Sequence, residues 1–312
     1  MKKRFFIAGL ALLLAGGIAF VVGMSTLGWN FALLDSEVYT AKVFELENSP
    51  ESLEEVDVDV RNANIHVKIG DSVKIEYEES DRVKYSVVYD ETKKTLVMEE
   101  ERSAPVLFQM FNFHSQVITL TVPKVRKLSL ESTNGVIAVP EGNYEEVDIE
   151  TTNGLVTVSD ITATKGVVAS TTNSQITLSN IATENGNVTA SSTNGKIILD
   201  DIRADSISAH TTNGAVVGER LAVNSLSCTT TNGALSFYEL EVGQKVLFKS
   251  TNGNIVAEFN GKMSDFTIEG HTTNGSFIPG NTGTGNIKAE CYTTNGDIRL
   301  SFDNGGHEND YE

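Results

Sequence analysis

The triplet Thr-Asn-Gly returns along this 312-residue chain with Asn at positions 134, 153, 194, 213, 232, 252, 274 and 295. A ninth copy carries Ser174 after Asn173. The successive intervals are 19, 20, 21, 19, 19, 20, 22 and 21 residues. A period so narrow and so often repeated marks a repeat architecture, and it constrains the fold before any other feature. The flanks keep the same period. Three residues after each Asn stand Ile137, Val156, Ile176, Ile197, Val216, Leu235, Ile255, Phe277 and Ile298. Six before stand Leu128, Val147, Val167, Val188, Ile207, Leu226, Val246, Ile268 and Ala289. All of these are apolar. Between them runs alternation such as Val147-Asp148-Ile149-Glu150, the period-2 pattern of half-buried strands.

Each unit therefore reads as strand, Asn-Gly corner, strand, loop. Asn-Gly fits a two-residue hairpin turn. It also fits the corner of a β-solenoid, in which each unit is one winding stacked on the next. Hairpins do not require Thr before every Asn, yet Thr133, Thr152, Thr172, Thr193, Thr212, Thr231, Thr251, Thr273 and Thr294 all hold that position. In-register stacking rewards such identity, because like residues meet at about 4.8 Å and form ladders. The expectation is an all-β chain, a β-solenoid of about nine windings of roughly 20 residues. Nine windings make a rod roughly 40 Å long. The change of parity across the corner suggests that Asn134, Asn153, Asn173, Asn194, Asn213, Asn232, Asn252, Asn274 and Asn295 point inward as a structural ladder. One winding buries about four apolar side chains at roughly 1.5–3 kcal/mol each. Ordering its backbone costs about 1–2 kcal/mol per residue, so a lone winding should not fold without its neighbours.

Cys228 and Cys291 each precede their Asn by four residues, an inward position. Sequence order places them three windings apart, about 14 Å, and a disulfide needs Cα atoms within about 7 Å. Both are expected to be free and buried. Residues 35–125 form a different, acid-rich β region, with runs such as Val56-Asp57-Val58-Asp59-Val60, read as a cap on the first winding. The repeat solenoid spans 126–302, and 303–312 is a polar acidic tail.

Lys2, Lys3 and Arg4 precede an uncharged stretch, residues 5–34, of which 5–24 is long enough for a transmembrane helix. The basic cluster places the amino terminus in the cytoplasm and the rest outside. A cleaved signal peptide is the alternative, and either reading exports the chain. Lys plus Arg total 24 against 42 Asp plus Glu, a formal charge of −18. Such acidity excludes nucleic acid as a partner, because phosphate binding needs clustered cations.

The anchor, the strand ending Thr121-Val122-Pro123, and the repeats from Ser132-Thr133-Asn134-Gly135 to Thr293-Thr294-Asn295-Gly296 resemble the bacterial putative-adhesin family of β-repeat proteins. That family includes the membrane-anchored LiaG-like proteins of Gram-positive bacteria. The resemblance covers most of the chain after Asp35. It implies an envelope location and a link to envelope stress, and it supplies no catalytic motif.

Chemistry is sparse in the sequence. Glycoside hydrolysis needs two acids about 5–9.5 Å apart. Glu131 and Glu150 share a position three before their Asn, but Ser170, Ser191 and His210 follow there. Asp200 and Asp201 stand beside Arg203 as solvated loop charge. His66, His114, His210, His271 and His307 show no metal-ligand spacing. No catalytic residue, cofactor site or metal site is assigned. The nine Thr before the Asn residues form a surface array, spaced near 4.8 Å if stacked. Its simplest role is to hold windings together. The apolar run 106–113 reads as packing against the first winding. The expected function is a non-enzymatic surface protein, an adhesin or envelope scaffold binding an envelope protein or wall polymer. The alternatives are a polysaccharide-processing enzyme on a β-helix and a binder of an ordered lattice through the outward Thr face.

Overall fold

The computed structural model describes residues 21–22, 25–26, 38–101 and 116–303. The expected membrane span, apart from Val21 and Val22, lies outside the described residues, as do the apolar run 106–113 and the tail beyond Asp303. No helix among the described residues is long and apolar enough to cross a membrane.

The described chain is all-β, with 21 strands joined in one hydrogen-bonded sheet. The sheet winds into a β-solenoid of about nine turns. Stacking is parallel and in register: Ile197 faces Ile176 on one side and Val216 on the other. The apolar positions of the repeat point inward. Val147, Val167, Val188, Ile197 and Val216 are all fully buried. A winding has three short sides, as in the Asn194 winding. Its first side is Asn187–Ser192. After the Asn-Gly corner, the long strand Ile197–Thr211 supplies the other two, bent at Asp201, whose φ is 48°, and runs on from Ser206 as the first side of the next winding. The same left-handed bend recurs seven residues after Asn at Asp160, Asn180, Arg220 and Glu239. Asp and Asn tolerate this backbone best; Arg and Glu occupy it at a cost.

Side-chain volume is shared between neighbouring windings. Gly218 sits below Phe237, and a Cβ at Gly218 would lie 2.4 Å from the Phe237 ring. Phe237 in turn stacks on Phe248 with centroids 4.6 Å apart. A row that elsewhere holds Val or Leu can thus accept Phe, because its neighbours on the two sides are Gly218 and Ala257.

Stacking order departs from chain order at both ends. Strand Ser52–Val60 lies between Lys124–Ser132 and Thr95–Glu101, all parallel. Strand Ala63–Ile69 lies likewise between Ile137–Val139 and Gln116–Val122. The expected cap therefore contributes windings of its own. What closes that end is antiparallel: Lys84–Asp90 on Thr95–Glu101, Lys74–Glu79 on Gln116–Val122, and Thr40–Glu45 outermost. At the other end Ile287–Thr293 inserts between Leu235–Lys249 and Phe266–Thr272. The connecting loop reverses through Gly280 and Gly283, with φ near +91° and +90°. That loop also covers the exposed edge. Ile268 and Thr282 exchange backbone hydrogen bonds of 2.7 and 3.0 Å, and the Gly270 N–H donates to Asn281 Oδ1. Both ends are thus guarded against edge-to-edge pairing.

This order corrects the cysteine geometry. Cys228 faces Phe248, and Phe248 faces Cys291 on its other side. The cysteines are two strand spacings apart, about 10 Å rather than 14 Å. Both are free and buried.

Candidate functional site: a polar edge and a charged face

The Asn-Gly corner is built on a hydroxyl that the sequence reading passed over. Two residues before eight of the nine Asn, the side chains Ser132, Thr151, Thr171, Ser192, Thr211, Thr230, Ser250 and Thr293 are buried, and Thr272 before Asn274 is half-buried. Thr211 shows their work: its Oγ1 donates to the Gly195 carbonyl of the winding below at 3.0 Å and accepts the Gly214 N–H of its own winding at 3.2 Å. The hydroxyl can act as donor and acceptor at once, so one side chain satisfies two buried backbone groups. Glycine follows because the corners stack too closely for a side chain. A Cβ on Gly214 would lie 1.8 Å from the Gly195 carbonyl oxygen.

The nine Asn side chains do not point inward, as the parity argument had them. They lie exposed on the outer edge and still form a ladder. Asn153 donates to Asn134 at 2.7 Å, Asn194 to Asn173 at 2.7 Å, and Asn213 to Asn194 at 2.7 Å. Near the end the order becomes Asn252, Asn295, Asn274, each later member donating to the one before. The bend that places Asn outside is the hydroxyl pin, which already fills the inner side of the corner. The ladder has a tenth member, Asn62, which accepts from Asn134. It carries no Thr-Asn-Gly signature. However, Val56 stands six before it and Ile65 three after it, and those flanks were the available signal.

Each Asn between two others spends one N–H and one oxygen lone pair on the ladder, leaving one N–H and one lone pair for solvent. Beside them Thr133, Thr152, Thr172, Thr193, Thr231, Thr251, Thr273 and Thr294 are exposed and Thr212 is half-buried. The edge is a straight line of free hydroxyls and half-free amides, repeating at about 4.8 Å.

The neighbouring face carries a file of outward residues three before each Asn of the ladder, continued at one end by Glu99. Through the stack it reads Glu99, Asp59, Glu131, Glu150, Ser170, Ser191, His210, Thr229, Lys249, Tyr292 and His271. Four carboxylates stand in line at one end, and basic or aromatic groups stand at the other. The His210 Nδ1 lies 2.7 Å from the Thr229 hydroxyl, and Lys249 lies over the Tyr292 ring. Behind the carboxylates, Asp57 and Asp148 flank Ser129 on its two sides. Partial burial, then Glu55, raises the Asp57 carboxyl above its ordinary range; partial burial, then Glu146, does the same for Asp148. Asp57, Asp59 and Glu99 join Glu131 and Glu150 here because they come from windings hidden in the acidic region. Next to them Arg126 and Lys165 hold the Glu145 carboxyl down to about 2.

Other candidates separate. Asp200 pairs with Arg220, not with Arg203. Arg203, Arg220, Glu239 and Glu241 line an open cleft of about 300 Å³ along the left-handed bends. Among the described residues no three His, Cys, Asp or Glu side chains gather as a metal site requires. His114 and His307 lie outside the described residues.

The Toastrack DUF4097 family model matches residues 53–300, which takes in both the repeat windings and the windings of the acidic region. The chain belongs to the Toastrack DUF4097 family. Among solved structures, this Toastrack chain is similar to a putative adhesin from Bacteroides fragilis, at 14% identity, covering 85% of this chain and 98% of that one, with a TM-score of 0.45. A putative adhesin from Parabacteroides merdae is similar at 12% identity, covering 84% and 95%, with a TM-score of 0.48. A putative lipid-binding protein from Parabacteroides distasonis is similar at 14% identity, covering 83% and 96%, with a TM-score of 0.45. No curated protein matches the chain.

Proposed function

We propose that this Toastrack protein is a membrane-anchored, extracytoplasmic, non-enzymatic surface protein that binds an envelope protein or wall polymer along its Thr-Asn edge. The observation that carries the reading is the edge itself: hydroxyls and amides at one spacing, each with hydrogen-bonding capacity left over. A repeating polar line suits an extended repeating partner, which can use the same contact at every rung. The apolar leader at residues 5–24 behind Lys2, Lys3 and Arg4 supports attachment to the cytoplasmic membrane with the stack outside. The test is binding of the purified stack to wall fragments and envelope extracts. Saturable binding that weakens when Thr193, Thr212 and Thr231 are replaced by Lys supports the reading. Unchanged binding in that variant removes the edge from it.

The carboxylate file favours a second reading, a polysaccharide-processing enzyme. Asp59 and Glu131 are adjacent in register, and Asp57 and Asp148 lie about 10 Å apart across Ser129. Asp57, with its raised carboxyl, would be the proton donor. Turnover of a wall polymer that is lost in Asp57→Asn would establish this reading over the first.

A further inference from the structure

The repeat places Asn before Gly eight times, and this is the dipeptide most prone to lose its side-chain amide. The glycine nitrogen, unhindered by a side chain, gives up its proton and attacks the Asn Cγ. The Cγ–N bond of the amide breaks, ammonia leaves, and a five-membered succinimide forms. Water then opens either carbonyl of the ring, leaving aspartate or isoaspartate. Water enters and ammonia departs, with no oxidant or enzyme.

The corners are not equally open to this reaction. At Gly135, Gly154, Gly195, Gly214 and Gly233 the nitrogen is buried and its N–H is held by the Ser or Thr hydroxyl two before the Asn, at 2.8–3.2 Å. Attack requires breaking that bond and lifting the glycine out of the stack. Gly253 and Gly296 are only half-buried, and Gly275 is exposed. At these three the hydroxyl still reaches the neighbouring winding, as Ser250 does to Gly233 and Thr293 to Gly253, but no side chain holds the glycine N–H. The three corners are consecutive in the stack, and Asn274 is its last rung, with a ladder partner on one side only.

We propose that Asn274-Gly275, followed by Asn295-Gly296 and Asn252-Gly253, is a site of spontaneous deamidation, and that the hydroxyl pin protects the five inner corners. The modified side chain has lost its N–H donors. It can no longer donate to Asn295, and it sets a carboxylate against that amide oxygen. Deamidation thus unzips the ladder from its free end inward. The inference concerns the corner chemistry alone and does not depend on any partner.

The experiment is peptide mapping of the folded chain held in mildly alkaline buffer, resolving Asn, Asp and isoaspartate at each corner. Position 274 should convert first, with 295 and 252 next. The five inner corners should be slower by about tenfold or more, since each must first open. In urea all eight should convert at comparable rates. Equal rates at 213 and 274 in the folded chain would overturn the proposal. Thr211→Val, shown to be folded by circular dichroism, separates the pin from simple burial. It should speed conversion at Asn213 several-fold, and an unchanged rate there would overturn the protective role of the hydroxyl.

Discussion

Asn295 donates its side-chain N–H to Asn252 at 2.7 Å, although 43 residues separate them and Asn274 stands between them in sequence. The last repeat of the chain is therefore an inner winding, and the one before it closes the stack. The same insertion brings Cys291 against Phe248, whose other neighbour is Cys228.

The thiols give the first check. Burial raises both, pushing Cys291 up to about 12 and Cys228 further. With Phe248 between them they cannot bridge. Neither should react with an alkylating reagent in the folded chain near neutral pH, and both should react in denaturant. Native labelling of either would contradict the packing.

The corner hydroxyls, more than the Asn ladder, should carry stability. Thr211→Val keeps the shape but orphans the buried Gly214 N–H and Gly195 carbonyl, at a cost of about 1–3 kcal/mol. Asn213→Ala acts on an exposed bond and should cost less, about 1 kcal/mol. Urea denaturation of the two variants tests the order.

Gly218 and Phe237 share one volume. Gly218→Ala should destabilise by about 1–3 kcal/mol, because the new methyl meets the ring. Adding Phe237→Leu should return part of that loss. A double-mutant cycle measures the coupling, and strict additivity would show that the two side chains do not compete for space.

Glu239 holds a left-handed backbone, φ 52°, that Asn180 occupies at the equivalent bend. Glu239→Asn should stabilise the chain by up to about 1 kcal/mol, since Asn enters this region more readily. A lowered melting temperature would mean that Glu239 makes a compensating interaction.

Asp57 provides the pH test. Its carboxyl is raised in the fold, so between its unfolded and folded values the native state binds more protons than the unfolded chain. Stability then falls as pH rises through that window, and at neutral pH the charge is a net cost. Asp57→Asn should raise the melting temperature modestly at neutral pH. The gain should shrink as pH falls below the ordinary carboxylate range. A gain that persists unchanged in acid would mean that the charge is not its source.

Much of the fold was legible because a solenoid is nearly one-dimensional. Each winding meets its neighbours through the same positions, so Ile197 and Val216 could be matched by counting alone. The corner was legible in composition but not in orientation. Parity allowed the Asn to point inward, and only the buried Thr211, already occupying that space, decides that it points out. The acidic region hid its windings, because Asn62 lacks the Gly that marked every other corner except Asn173, while the chain between its strands detours through antiparallel strands.

The sequence by itself determined the repeat, its period and the buried positions, those of both cysteines among them. Local alternation and identical corners suffice for those. Only the tertiary structure decided the order in which windings pile up, and with it the carboxylate file of Glu99, Asp59, Glu131 and Glu150. Parallel in-register pairing has the same geometry between any two windings. Which of them become neighbours is set by the closing of the two ends, where an exposed strand edge must be covered, and the repeat period carries no record of that.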